Sequence, residues 1–236
     1  MKKQLILLFL FISSSFMLAQ NERMDSLTIA LKRAKNDIDK VETLNAIADE
    51  YKTSDPQKML QFAQQALQLS KKIKHKAAEG NAYLNIGNAN IISGNYSIAL
   101  QNCNSAAFLF ENLTTTNPEQ TIAIKKGLAK AYGSKGIIFS EQSNYTKALH
   151  FYLKSVKIYE ALNDQARCAT IYNNIGIIFK SQSSDFKALE YFVKAQKIKE
   201  KLNDPTISIT ITNIANCYLK QKNYDKAFDY YIQAKK

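Results

Sequence analysis

The chain has 236 residues, 46% hydrophobic and 22% charged, with 7 glycines and 3 prolines. That balance excludes a disordered or collagen-like polymer and argues against a turn-dense β fold. Lys and Arg number 32 against 20 Asp and Glu, a net +12 that would suit a polyanion, while two histidines and three scattered cysteines leave little material for a metal site.

Met1-Lys2-Lys3, the apolar run Leu5 to Ile12, Ser13-Ser14-Ser15 and the small Ala19 before Gln20 have the layout of a secretory signal peptide over residues 1–19. The apolar run is short for a membrane span, which needs about 20 apolar residues. Cleavage is expected after Ala19, with an uncleaved N-terminal anchor as the rival reading. No Cys follows the apolar run, so a lipid anchor is not supported. Loss of Lys2 and Lys3 leaves a mature charge of +10. The expected location is periplasmic or otherwise extracytoplasmic, and no nucleic-acid partner is expected there. Residues 20–40 follow, with Leu27, Ala30, Leu31 and Ala34 on one helical face, which reads as a single amphipathic capping helix.

Beyond residue 40 the sequence repeats. Tyr83-Leu84-Asn85-Ile86-Gly87 resembles Tyr172-Asn173-Asn174-Ile175-Gly176, and each Gly is followed twelve residues later by Ala-Leu, at Ala99-Leu100 and Ala188-Leu189. Gly136 leads to Ala148-Leu149 at the same distance, and weaker copies surround Ala48 and Ala215. The small residues Ala48, Gly87, Gly136, Gly176 and Ala215 are spaced by 39, 49, 40 and 39. The longer interval holds Thr114 to Glu119, a polar stretch with Pro118 that reads as a loop insertion. Each unit shows apolar or small residues at helical spacing, as in Tyr172, Ile175, Gly176 and Phe179, then a Ser/Asn/Gly turn, then a second helix carrying Ala188, Phe192 and Ala195 or Ala148, Tyr152 and Ser155. An aromatic follows each turn, at Tyr96, Tyr145, Phe186 and Tyr224.

Aromatic-x2-Leu/Ile-Gly-x2-aromatic followed by Ala-x3-aromatic-x2-Ala resembles the tetratricopeptide repeat. The resemblance covers about residues 41–236, in five units at 41–76, 77–124, 125–164, 165–204 and an incomplete 205–236. It implies an all-α fold, a right-handed α-solenoid of helix pairs. The opening Trp of the family pattern is missing, and Pro between units occurs only as Pro205. The last unit ends before its second helix would be complete, and no polar capping helix follows, so the chain is expected to be the N-terminal portion of something longer, with a frayed natural terminus at Lys236 as the rival reading.

No catalytic constellation is evident: the sequence holds no phosphate-binding glycine loop, nucleophile elbow or zinc-protease motif. No enzyme activity, cofactor or metal is therefore expected. His75 and His150 read as helix-end or surface residues. Cys103, Cys168 and Cys217 read as packing thiols, Cys103 standing at the aromatic position of its second helix. The lysines near 71–76 and 194–201 close second helices, where cations complement the macrodipole. Charge is uneven, at +3 over residues 20–76, −3 over 77–124 and +10 over 125–236.

Asparagine is the informative residue type. Asn85, Asn174 and Asn213 lie two residues before the small residue of their repeats, and Asn45, Asn88, Asn173 and Asn216 lie on nearby faces of the same helices. Ala46 and Ser134 hold the equivalent position in the other two repeats. In tetratricopeptide proteins the first helices line the concave face, and the row resembles the asparagine ladder that pairs with an extended peptide backbone there. The competing reading is that these carboxamides bridge adjacent helices. The expected function is an exported scaffold binding a peptide or protein in its groove. The alternative is the truncated extracytoplasmic sensor region of a tetratricopeptide sensor histidine kinase or related receptor, which Asp25-Ser26-Leu27 and the run Asp39 to Ala48 resemble.

Overall fold

The computed structural model describes residues 22–235, so the expected signal peptide lies outside the described residues. These residues form helices and short connections, with no strand among them. Helix α1 spans residues 22–33. It is followed by α2 (Asp37–Glu50), a 3-10 turn (Tyr51–Thr53), α3 (Pro56–Lys72), α4 (Lys76–Ile92), α5 (Tyr96–Asn112), α6 (Pro118–Glu141), α7 (Tyr145–Ala161), α8 (Gln165–Ser181), α9 (Asp185–Lys201), α10 (Ile207–Lys220) and α11 (Tyr224–Ala234). The chain divides between Leu113 and Thr114 into two compact units. Unit 1 pairs α2 with α3 and α4 with α5; unit 2 pairs α6 with α7, α8 with α9 and α10 with α11. Within each unit every pair also packs on the next.

The turns explain why neighbouring helices fold back on each other. Gly94, Ser143, Ser183 and Lys222 close the first helices, and Lys74, Asn163 and Asn203 close second helices; all seven have φ between 49° and 75°. One left-handed residue ends a helix and frees the next amide to bond back across the last turn, as Asn144 N does to Phe139 O at 2.8 Å and Asn223 N to Tyr218 O at 2.9 Å. That next residue is already the cap of the following helix in every case but Asn203, after which α10 is capped by Thr206. Asn144, Asp164 and Asn223 accept from the amides of Lys147, Arg167 and Lys226. The reversals within the pairs from α4–α5 to α10–α11 place only three residues between helix ends, which leaves little slack between partners.

Six of those seven left-handed positions carry a Cβ, and only Gly94 avoids the strain. Ser183→Gly and Lys222→Gly should therefore each raise stability by about 0.5 kcal/mol, after glycine's own entropic cost is deducted. Differential scanning of the single and double variants checks this; a fall in melting temperature would contradict it.

Helix pairs close onto a slot made by glycine. A Cβ at Gly136 would lie 2.5 Å from the Tyr152 ring, one at Gly176 2.6 Å from Phe192, and one at Gly87 2.7 Å from Cys103 Sγ. The second partner stands 16 residues after its glycine in all three pairs. Cys103 thus fills the slot that an aromatic fills in the later repeats, and it is fully buried. In unit 2, Tyr152, Val156 and Tyr159 of α7 pack with Ile171, Ile175 and Ile178 of α8, while Phe192 of α9 packs with Ile214 and Cys217 of α10. In unit 1, Val41 and Leu44 of α2 meet Ala66 of α3 with Ala78 and Ala82 of α4.

Two sequence readings need adjustment. Residues 20–40 hold a helix that ends at 33 and the start of α2 at Asp37, because Asn36 Oδ1 accepts from Asp39 N at 2.8 Å and caps a new helix there. The stretch Thr114 to Glu119 is a loop only as far as Asn117. Pro118 is the first residue of α6, and Asn117 Oδ1 accepts from the amides of Glu119 and Gln120 at 2.9 and 3.1 Å. The extra residues of the long interval thus lengthen α6 to 24 residues, against 17 in α4 and α8.

Candidate functional site

Adjacent residues on a helix point about 100° apart, so neighbouring asparagines meet different surroundings. On α2 and α4, Asn45 and Asn85 are 8% and 6% exposed. Asn45 Nδ2 donates to Ala78 O at 3.0 Å, and Asn85 Nδ2 donates to Asn45 O at 3.0 Å. On α8, Asn173 is 8% exposed and accepts from Thr210 Oγ1 of α10 at 3.2 Å. These three carboxamides join one first helix to the next, each serving a polar group that burial would otherwise leave without water.

The remaining residues of the row are accessible. Asn174, Asn213 and Asn216 are half-buried, as is Asn88 in unit 1. Asn213 Oδ1 accepts from Lys180 Nζ of α8 at 3.1 Å, and Asn216 Oδ1 accepts from the Tyr231 hydroxyl of α11 at 2.6 Å. Both carboxamides are thereby oriented with oxygen inward, which leaves their N–H donors available. The Asn174 side chain makes no hydrogen bond among the described residues. The open stripe of α8 runs through Thr170, Asn174, Ile177 and Ser181, and that of α10 through Ile209, Asn213, Asn216 and Leu219. The Lys180–Asn213 and Thr210–Asn173 hydrogen bonds link these two helices.

This division separates stability from recognition. Asn85→Ala should cost about 1–3 kcal/mol, because Asn45 O loses its buried donor. Asn174→Ala should stay within about 0.5 kcal/mol of the parent. Urea unfolding of the two variants checks the contrast, and equal losses would contradict it.

A second repeating feature escaped the sequence reading. Lys58, Lys147, Lys187 and Lys226, each three residues after its helix cap, place their ammonium 5.3, 5.3, 5.5 and 5.2 Å from the ring centres of Tyr51, Phe139, Phe179 and Tyr218. These are cation–π contacts between the two helices of a pair, each worth about 0.5–1 kcal/mol at an exposed position. The second repeat lacks both partners together, having Asn90 for the ring and Ile98 for the lysine. That paired loss is the signal the sequence carries for the contact. Lys199, read with those C-terminal lysines, is instead buried, donating to Thr206 Oγ1 at 2.9 Å and Thr206 O at 3.2 Å. Desolvation holds its pKa below the usual lysine value.

The other residues singled out from sequence are structural. His75 caps α4, its Nδ1 accepting from Ala78 N at 3.1 Å. The three cysteines are free and buried. Burial pushes the thiols of Cys168 and Cys217 up to about 11, which keeps them protonated and poorly nucleophilic at neutral pH. All three should be silent to a thiol reagent such as Ellman's in the native state and react once urea unfolds the chain; rapid native labelling would contradict this. A cleft of about 310 Å³ lies beside the turns at Ser183–Lys187 and Gln221, where the Lys220 ammonium sits 3.5 Å from Asp185. Among the described residues no group of three His, Cys, Asp or Glu is placed to hold a metal, and no helix is long and apolar enough to cross a membrane.

Residues 127–201 match a tetratricopeptide repeat family model, and residues 210–236 match a second one. The chain therefore carries tetratricopeptide repeats in these segments. No curated protein sequence matches it. Among solved structures, BtubC (BKLC) from P. vanneervenii is similar at TM-score 0.72 and 18% identity, over 92% of this chain and 90% of that one. A Rap protein complexed with competence and sporulation factor aligns at TM-score 0.70 and 16% identity, over 95% and 70% of the two chains. A STAND signal transduction ATPase with a tetratricopeptide repeat sensor from Pyrococcus horikoshii aligns at TM-score 0.67 and 18% identity, over 93% of this chain and 34% of that one. At these identities the likeness shows the fold: an all-α solenoid class of tetratricopeptide-type helix pairs.

Proposed function

We propose that this protein is a scaffold that holds a peptide or an extended segment of a partner protein along the open face of α8 and α10. The observation that carries this reading is the set of N–H donors on Asn174, Asn213 and Asn216, left accessible while the neighbouring Asn173 is used inside the fold. An extended backbone offers a carbonyl acceptor at each residue, and oriented carboxamides recognise it without regard to side-chain identity. Ile177, Ile209 and Leu219 on the same helices supply apolar contact for alternate side chains. The complex of a Rap protein with competence and sporulation factor is a precedent for ligand binding on this kind of fold.

The test is a random-peptide display selection on the purified protein, followed by affinity measurement of the selected peptides. Asn174→Ala combined with Asn213→Ala should weaken them at least about tenfold, the cost of one to two lost hydrogen bonds. Unchanged affinity in a variant that still folds would refute the assignment.

We also infer that the protein is exported, on the strength of the basic, apolar and small-residue succession over residues 1–19. Cell fractionation with amino-terminal sequencing of the mature chain tests this. A cytosolic chain that retains Met1 would contradict it.

A further inference from the structure

The outward stripe of α5 differs from the matching stripe of every other second helix. On α9 that stripe reads Lys187, Tyr191, Lys194, Lys197 and Lys201; on α7 it carries Lys147, Lys154 and Lys157; on α3 it begins with Lys58 and ends with Lys72. On α5 the same positions are Ile98, Asn102, Ser105, Phe108 and Asn112. Ile98 and Phe108 are 50% and 65% exposed. The chain from residue 77 to 124 contains no Lys or Arg, although the protein as a whole carries +12.

The polar residues of the stripe are turned back onto their own helix. Asn102 Nδ2 donates to Ile98 O at 2.8 Å, Ser105 Oγ to Gln101 O at 3.1 Å, and Asn112 Nδ2 to Phe108 O at 2.8 Å. A partner covering this face would bury two large apolar side chains, and each carboxamide would keep its Oδ1 and one N–H to bond across the contact.

We propose that this stripe is the contact face for a second copy of the chain, α5 against α5 about a two-fold axis. Two copies of a strongly cationic protein repel one another, and the lysine-lined second helices make that repulsion worse on close approach. The α5 stripe lets two copies meet with no cation from either at its centre. Its pattern is self-complementary: with the helices antiparallel and the axis near Asn102 and Ser105, Ile98 of each copy reaches Phe108 of the other. The small residues at the crossing point permit close approach. One helix face buries little area, so the dimer is weak, with a dissociation constant on the order of 10–100 µM.

The test is sedimentation velocity of the purified protein across that concentration range, at about 50 mM and about 500 mM salt. A self-association that tightens as salt rises is expected, because screening removes the residual repulsion between copies. Ile98→Lys with Phe108→Lys, which restores the lysine pattern of the other repeats, should weaken the dimer at least about tenfold without moving the melting temperature. Phe186→Ser, at another exposed aromatic, should leave it unchanged. A chain that stays monomeric throughout overturns the proposal and leaves the stripe to a different protein. A dimer indifferent to the two lysines overturns it as well, as does one that loosens with salt, the mark of a contact between the basic segment and an acidic surface.

Discussion

Phe192→Ala should lower the stability of unit 2 by about 3–5 kcal/mol, the cost of deleting a fully enclosed aromatic ring together with the cavity left behind. Phe192 has no exposed surface and sits where α8, α9 and α10 converge, its ring over Gly176 and beside Ile214 and Cys217. Connections of three residues between α8 and α9 and five between α9 and α10 hold the helices around it in place, so collapse into the void is limited. Six residues earlier on the same helix, Phe186 is 84% exposed. Phe186→Ala should stay within about 0.5 kcal/mol of the parent. Urea midpoints for the two variants, compared at equal slope, separate a ring that builds the fold from one that merely decorates it. Similar losses for both would mean that the packing around Gly176 is wrong.

Gly176→Val is the complementary insult and should cost about 2–4 kcal/mol. Replacing a helical glycine ordinarily gains about 1 kcal/mol of helix propensity. Here the added Cβ would stand 2.6 Å from two carbons of the Phe192 ring, and the ring is enclosed with nowhere to move. Overpacking therefore outweighs propensity. The milder Gly176→Ala should be partly rescued by Phe192→Leu, whose shorter side chain vacates the slot, with a coupling of about 1–2 kcal/mol in a double-mutant cycle. Additive losses would show that glycine and ring act independently. Gly94 offers the contrast: open space surrounds its missing Cβ, and its φ of 75° is what a side chain would strain. One glycine is kept for room and the other for backbone freedom.

Much of this was legible in the residues alone. The 39- to 49-residue spacing located the helix pairs, and Cys103 stood where Tyr152 and Phe192 stand because the slot is set by the glycine sixteen residues earlier. Turn chemistry marked the reversals. What eluded the sequence was orientation at single-residue resolution. Asn173 and Asn174 are neighbours in the chain, yet one is inside the fold and the other is half-exposed, and no composition or spacing argument distinguishes them. By sequence, Phe186 is the aromatic that follows the turn, like Tyr145 and Tyr224. Phe186 stands one position later than the others, after Ser184 and Asp185, and is 84% exposed, while Tyr224, directly after its cap, is 63% exposed, so the place after the turn does not by itself bury the ring. The length of α6 was hidden for a different reason. Thr114 to Glu119 has loop composition throughout, but Asn117 followed by Pro118 is a helix start, and capping geometry decided the boundary.

The site divides along the same line. The first helices carry two populations of asparagine, one closing helix to helix and one presenting donors to solvent, and the proposed recognition depends on the second alone. The cation–π contacts and the buried thiols belong to the scaffold, and they explain much of the Lys and Cys content without a ligand.

The most direct measurement is photo-crosslinking of a selected peptide to the protein carrying a benzoylphenylalanine at Thr170 or at Lys157. Thr170 lies on the open stripe of α8, and Lys157 is exposed on the outward face of α7. Crosslinking from position 170 and none from position 157 is the result this account predicts. Crosslinking from 157 with a silent 170 would place the ligand on the second helices and contradict it.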